Sequence, residues 1–243
     1  KKMEYKFKSG NDYTVVFDGT LGNNMYEWED ICRTLEDKKT STFIYNRRGY
    51  GFNDGGELRT PEEQAKDLKL SLRKAGASEP YVLVGEEYGS LIITNFIKLY
   101  PNSVAGVVLV DPISEEAIKT SEFKESIKSK YYRSKFETIG TNFSLTSLLN
   151  SMGLTIENNV FKEHLGESEL SEFNSFENKK SYREAVSNEL TNLYEGSSNS
   201  QKNGLFEAIP FYLITSNEND PAIKFGETAS TTIYKKEASD SPV

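Results

Sequence analysis

Val82-Leu83-Val84-Gly85-Glu86-Glu87-Tyr88-Gly89-Ser90-Leu91 is the stretch of this 243-residue chain whose reading decides the fold. An apolar run stops at a glycine. Two carboxylates and a tyrosine follow, and a second glycine leads into an apolar segment. Glycines two before and two after a central residue, between a strand and a helix, have the spacing of a nucleophile elbow, the sharp turn that lifts a side chain above a parallel sheet. Such a turn is strained and its helix starts almost in contact with its strand, so the flanking residues must be small. Gly85, Gly89 and Ser90 meet that need, and the apex is Glu87. The spacing predicts a catalytic scaffold, and the apex residue is not a hydroxyl or a thiol.

Outward from this turn the pattern is strand and helix in alternation. Residues 81–84 feed the turn. Residues 91–100 carry Leu91, Ile92, Ile93, Phe96, Ile97 and Leu99, apolar nearly all round, which predicts a buried helix ended by Tyr100-Pro101. Residues 104–110 are a buried strand closed by Asp111-Pro112. Upstream, residues 4–8 alternate as an edge strand, and residues 13–17 are β-branched and apolar, as in a strand covered on both faces. A glycine-rich loop, Asp18 to Asn24, leads to a helix over 26–35 with Trp28, Ile31 and Leu35 on one face. Residues 42–45 are a further strand, followed by the loop Arg47-Arg48-Gly49-Tyr50-Gly51. Thr60-Pro61-Glu62-Glu63 predicts a helix start with a capping box, and Gly76 its C-terminal stop.

This succession predicts an α/β fold with a mostly parallel central sheet and flanking helices. From residue 113 to about 205 charged helical stretches take over, at 115–136, 144–152, 170–176 and 181–194. They predict an inserted helical cap, dividing the chain into a core of 1–112 and 206–243 and a cap of 113–205. The run 196–200 is a flexible exit, and residues 210–215 return as a buried strand with a loop at 217–221 after it.

Composition narrows the classes. A formal charge of −8 argues against a nucleic-acid partner, which needs a basic face. The single cysteine, Cys32, rules out an internal disulfide and reads as a small core residue. One Cys and one His, His164, do not make a four-ligand zinc site, so no metal is expected. No stretch has the length of a membrane span. The chain starts Lys1-Lys2-Met3, leaving the compartment open between cytoplasmic and, with a removed N-terminal anchor, extracytoplasmic.

With these motifs in this order the sequence resembles the α/β-hydrolase family. Val15-Val16-Phe17 and the glycine loop look like its oxyanion strand and loop. Trp28 fits an aromatic at the start of the first helix. Tyr45-Asn46-Arg47-Arg48-Gly49-Tyr50-Gly51 looks like the "Y-D-R-x-G-x-G" turn with Asn46 for aspartate, and residues 106–112 look like the strand after the elbow. The resemblance covers about 4–112 and 206–221. It implies a serine-hydrolase ancestry, no cofactor, and a small-molecule ligand or substrate between core and cap. It places Glu87 at the nucleophile position, Glu86 where many relatives have histidine, Tyr88 as one oxyanion N–H donor and either Thr20 or Leu21 as the other. Asp220 falls at the triad-acid position and Asp111 at a rival acid position. The triad histidine should follow one further strand, which is not read before Val243, and no histidine follows His164.

Glu87 then has three readings: an ester-forming nucleophile, a built-in anion held in its own oxyanion hole, or a substitution that disables a serine enzyme. The first still needs a histidine, and glutamate's extra methylene misplaces the attack by about 1 Å. The second uses an anion site that a helix N-terminus and inward N–H groups make ready. Asp220 and Asp111 each precede a proline and fit ordinary turn roles. His164 reads as a surface residue. Arg47 and Arg48 read as loop-holding partners of nearby acids, and Tyr131, Tyr132 and Phe136 as packing onto the core. The expected protein is an inactive hydrolase-like chain; the alternatives are an ester or amide hydrolase in truncated or altered form, and a protein-interaction module.

Overall fold

The computed structural model describes residues 3–10, 13–142, 148, 149, 152, 153, 155, 156, 159–196, 206 and 209–215. The strands are β1 (Tyr5–Lys8), β2 (Thr14–Asp18), β3 (Ser41–Tyr45), β4 (Tyr81–Glu86), β5 (Val104–Val110) and β6 (Phe211–Ile214), in the spatial order β1-β3-β2-β4-β5-β6. Among the described strands only β1 runs antiparallel, with Tyr5 opposite Tyr45 and stacked on Phe43 at 5.3 Å. The other pairings are parallel, and Val16, Leu83 and Val107 lie in register across the centre. Their crossovers are α1 (Glu29–Asp37), α2 (Pro61–Ala75) and α3 (Tyr88–Leu99).

Local signals explain most of these boundaries. The Thr60 hydroxyl accepts from the Glu63 N–H, the Glu63 carboxylate accepts from the Thr60 N–H, and Gly76 closes α2 in the left-handed region at φ 73°. All residues of α3 from Tyr88 to Ile97 are buried, as its all-round apolar sequence requires. The helix expected over 26–35 is in part a tighter turn, Met25–Trp28, with Asn24 accepting from the Tyr26 N–H at 3.1 Å. In α1 the expected Ile31 is 47% exposed, and Cys32, one turn after Trp28, faces the core instead. Burial of the Cys32 thiol pushes it up to about 12, so it is an inert packing group.

Between β5 and β6 lie α4 (Ser121–Asn142), α5 (Asn159–Glu163), α6 (Glu167–Phe176) and α7 (Lys180–Glu195). α4 starts later than the expected residue 115. Ser114 and Thr120 each offer a hydroxyl to the backbone three residues on, Ala117 N–H at 3.0 Å and Phe123 N–H at 3.2 Å, and so spend residues 114–120 on a turn and a cap. Glu115 is thereby freed to meet Lys98 and Asn95 on α3, both at 2.9 Å. Most of the expected helix 144–152, the exit 197–200 and the loop 217–221 lie outside the described residues.

Candidate functional site

The turn at Glu87 has the predicted backbone. β4 ends at Glu86, Glu87 takes φ 44° and ψ −111°, and α3 begins at Tyr88. A non-glycine residue with positive φ is strained and persists only where its surroundings over-determine it. Here the Glu87 N–H donates to the Val110 carbonyl at 3.2 Å, and the Glu87 carbonyl accepts from the Ser90 N–H at 3.2 Å. Ser90 Oγ lies 2.5 Å from that carbonyl and accepts from the Ile113 N–H at 2.9 Å, tying the turn to the end of β5. The two glycines are close-approach residues. A Cβ on Gly85 would sit 2.9 Å from Ile93 Cγ1, and one on Gly89 would collide with the Asp18 carbonyl of β2.

The Glu87 side chain turns toward the loop after β2. Its Oε2 accepts from the Leu21 N–H at 3.1 Å. The Thr20 N–H points elsewhere, to Glu27 Oε2 at 3.0 Å, and the Gly22 N–H donates to the Tyr50 hydroxyl at 3.0 Å. Of the two donors left open by the sequence, it is therefore Leu21 that meets the apex carboxylate. Among the described residues no hydrogen bond joins that carboxylate to the Tyr88 N–H, so one of the two expected donors holds it. Burial raises the Glu87 pKa; the Leu21 N–H, then Lys130 of α4 and Arg47, oppose that rise.

Glu86 sits in a neighbourhood of one sign. Burial first, then the charges of Glu27, Glu87 and Asp111, push its carboxyl up to about 8. A carboxylate with a raised folded pKa favours the protonated fold. Its contribution to stability is complete below the ordinary carboxylate range and disappears as pH rises through about 8. Glu86→Gln should therefore remove part of this slope, gaining about 2 kcal/mol over wild type at about pH 8.5 relative to pH 5 after discounting for partial exposure. Urea unfolding at the two pH values checks this, and equal gains at both would contradict it.

Arg47 is the centre of the surrounding network. Its guanidinium donates to Asp18 Oδ1 at 2.6 Å, to Glu189 Oε1 and Oε2 at 2.7 and 3.1 Å, and to the carbonyls of Gly19 and Thr20 at 2.9 and 3.0 Å. All five donors of the side chain are thus used. The rings of Tyr50 and Tyr88 lie 4.9 and 5.3 Å from it. Tyr45 donates to Asp18, and Tyr50 to Glu189 at 2.6 Å. Burial raises the pKa of both Asp18 and Glu189 against the pull of Arg47, because each carboxylate is wholly removed from water; for Glu189 the Asp18 charge adds to the rise. Through Glu189 the network pins α7 to the core; through the two carbonyls it fixes the loop that aims the Leu21 N–H. Gln64 links Glu189 to the Tyr88 hydroxyl at 3.2 and 2.8 Å.

The other expected residues fall as follows. Asp111, at φ 38°, ends β5 with its N–H on the Ile214 carbonyl at 2.9 Å and stands within electrostatic reach of Glu86. Asp220 lies outside the described residues. His164 is exposed, next to α5. The expected acid pairing is seen for Arg47, whereas Arg48 holds its loop through the Gly55 carbonyl at 3.2 Å. Glu27, Glu189 and Lys130 are site neighbours that sequence reasoning missed. A signal for the first two was present in the placement of Asp18 and Arg47 at strand ends, where a buried charge demands a partner. Among the described residues no group of three or more His, Cys, Asp or Glu side chains is placed to hold a metal ion, and no helix is long and apolar enough to cross a membrane.

A parallel sheet with a strained apex at the C-terminal end of a central strand, under helices inserted after the next strand, is a scaffold for chemistry at that apex. The chain belongs to the α/β-hydrolase fold family, whose model matches residues 13–220. It is 25% identical over 146 residues to the uncharacterized protein YqjL of Bacillus subtilis (strain 168), a match spanning 60% of this chain and 57% of that one. Solved structures share the fold at low identity. A thermophilic esterase from Thermogutta terrifontis has TM-score 0.65 at 16% identity, covering 99% of this chain and 83% of the esterase. A mutant of potato epoxide hydrolase has TM-score 0.67 at 17% identity, covering 100% and 91%. MGS-M2, an α/β hydrolase from a Medee basin deep-sea metagenome library, has TM-score 0.66 at 14% identity, covering 98% and 83%.

Proposed function

We propose that this chain is a member of the family that does not run serine-triad hydrolysis, and that its apex carboxylate fills the anion site which would otherwise stabilise a reacting oxyanion. The observation that carries this reading is the hydrogen bond from the Leu21 N–H to Glu87 Oε2. A backbone N–H aimed at the apex is the donor an oxyanion needs, and here it is already occupied by a carboxyl oxygen of the same chain. Glu87 offers no hydroxyl to be activated, and the single histidine of the sequence, His164, is exposed just after α5. Two of the three triad roles are then unfilled within these residues. In this reading residues 113–205 act as a cap, and a small, partly apolar ligand lies between the cap and the Leu21–Glu87 floor.

The test is hydrolysis of p-nitrophenyl acetate by wild type, Glu87→Gln and Glu87→Ser. Wild type and Glu87→Gln are expected to match the uncatalysed rate. Glu87→Ser is expected to stay within about a thousandfold of it, since among the described residues the partners of the Glu87 carboxylate are Leu21, Lys130 and Arg47, none of them a histidine. Turnover by wild type that Glu87→Gln abolishes would make Glu87 a nucleophile and end this reading.

A further inference from the structure

The first turns of α4 send Phe123 and Ile127 into the main core, but its second half is built the wrong way round for a helix that only covers a core. Its inward side carries Ser134 and Glu137, both buried; the Ser134 hydroxyl meets Ser187 at 3.3 Å, and Glu137 pairs with Arg183 at 3.1 Å. Its outward side carries Tyr132, Phe136 and Ile139, which are 57, 51 and 56% exposed, contrary to the core packing expected for Tyr132 and Phe136. These three stand at spacings of four and three, so they form one stripe. Tyr131 is stacked on Tyr194 of α7 at 4.2 Å, and the Tyr132 ring leans edge-on against both at 5.1 and 6.0 Å, which leaves Phe136 and Ile139 as the less supported part of the stripe. Beyond α4, Leu148 and Met152 are exposed as well, while Leu149 between them packs against Gly140 at the end of the helix.

The charge of α4 is opposite in sign to that of the protein. It carries Lys124, Lys128, Lys130, Arg133 and Lys135 against Glu122, Glu125 and Glu137, in a chain of formal charge −8, and Lys130 is the one that acts on Glu87. Lys128 lies one turn before Tyr132, Arg133 one turn before Phe136, and Lys135 one turn before Ile139. Lys128 shares an exposed ion pair with Glu125 at 3.1 Å, Lys135 donates to Thr191 at 2.6 Å, and Arg133 touches the Thr155 carbonyl at 3.5 Å. Aromatic and aliphatic anchors flanked by cations on long stems suit the boundary between anionic headgroups and acyl chains. A second copy of the chain is the poorer occupant, because pairing this face with itself would set cation against cation.

We infer that the exposed face of α4 is a peripheral docking surface for an anionic lipid membrane, with Tyr132, Phe136 and Ile139 entering the interface and Lys128 and Arg133 at the headgroups. The test is flotation of the full chain with vesicles of phosphatidylcholine alone and of phosphatidylcholine mixed with phosphatidylglycerol. Binding is expected to the mixed vesicles only, and to fall steeply as salt is raised. The double variant Phe136→Ser/Ile139→Ser, at two exposed positions, should weaken it by about tenfold or more. Arg133→Glu should weaken it by about fivefold or more. Circular dichroism of each variant confirms the fold. No binding to mixed vesicles at low salt overturns the inference, as does binding that the double variant leaves unchanged. So does a wild-type dimer that the double variant converts to monomer, which would make the face an interface between copies. Binding to polyglutamate in place of vesicles would give the face to an acidic protein and overturn it equally.

Discussion

Replacing Arg47 by methionine lowers the unfolding free energy by about 3–5 kcal/mol, the range for removing one partner of a buried ion pair. The loss comes less from the bonds themselves than from what is left behind. Asp18 and Glu189 are both buried and would face each other without their shared cation. Two control variants distinguish this cause from simple loss of packing. Arg47→Lys should recover less than half of the loss, because an ammonium has three donors where the guanidinium uses five. The triple variant Arg47→Met/Asp18→Asn/Glu189→Gln should recover most of it, since no uncompensated charge remains. Denaturant unfolding of the three proteins checks this, and a cost below about 1 kcal/mol for Arg47→Met would show that the network does not hold α7 to the core.

Glu87→Gly is expected to stabilise the protein by about 1–3 kcal/mol, and to exceed Glu87→Ala by at least about 1 kcal/mol. Both variants remove a carboxylate whose pKa is raised by burial, but only glycine also releases the positive φ of the apex. The gain over wild type should widen with pH. A raised folded pKa means that wild type has its full contribution below the ordinary carboxylate range and loses it as pH climbs through the folded value. The same variant uncovers the Leu21 N–H, so added formate should raise the melting temperature of Glu87→Gly and leave wild type unchanged. Equal stability of the glycine and alanine variants would remove strain from the account. Formate protection of wild type would mean that the site is not filled by Glu87.

What could be read before folding was what neighbouring residues decide among themselves. Gly85 and Gly89 announced a strand and a helix too close for side chains, and the contacts of Gly89 with β2 explain why. The Thr60–Glu63 box and Gly76 set the ends of α2 through groups three or four residues apart. Where a local competitor was overlooked, the reading slipped. Ser114 and Thr120 delayed α4, and a tight turn before α1 rotated Cys32 inward in place of Ile31.

By itself, then, the sequence determined the α/β class, the parallel sheet, the strained turn at Glu87 and the identity of the residue at its apex. These rest on the φ preferences of glycine, on capping and on apolar periodicity, all of which act within a few positions of the chain. The tertiary structure alone decided that Leu21 rather than Thr20 meets Glu87, across 66 positions, and that Arg47 closes on Glu189, across 142. It alone turned Tyr132 and Phe136 outward. Composition says that a buried charge must find a partner and an apolar side chain a cover. Only the folded arrangement of distant elements says which partner is in reach, and which side chains are left without a cover.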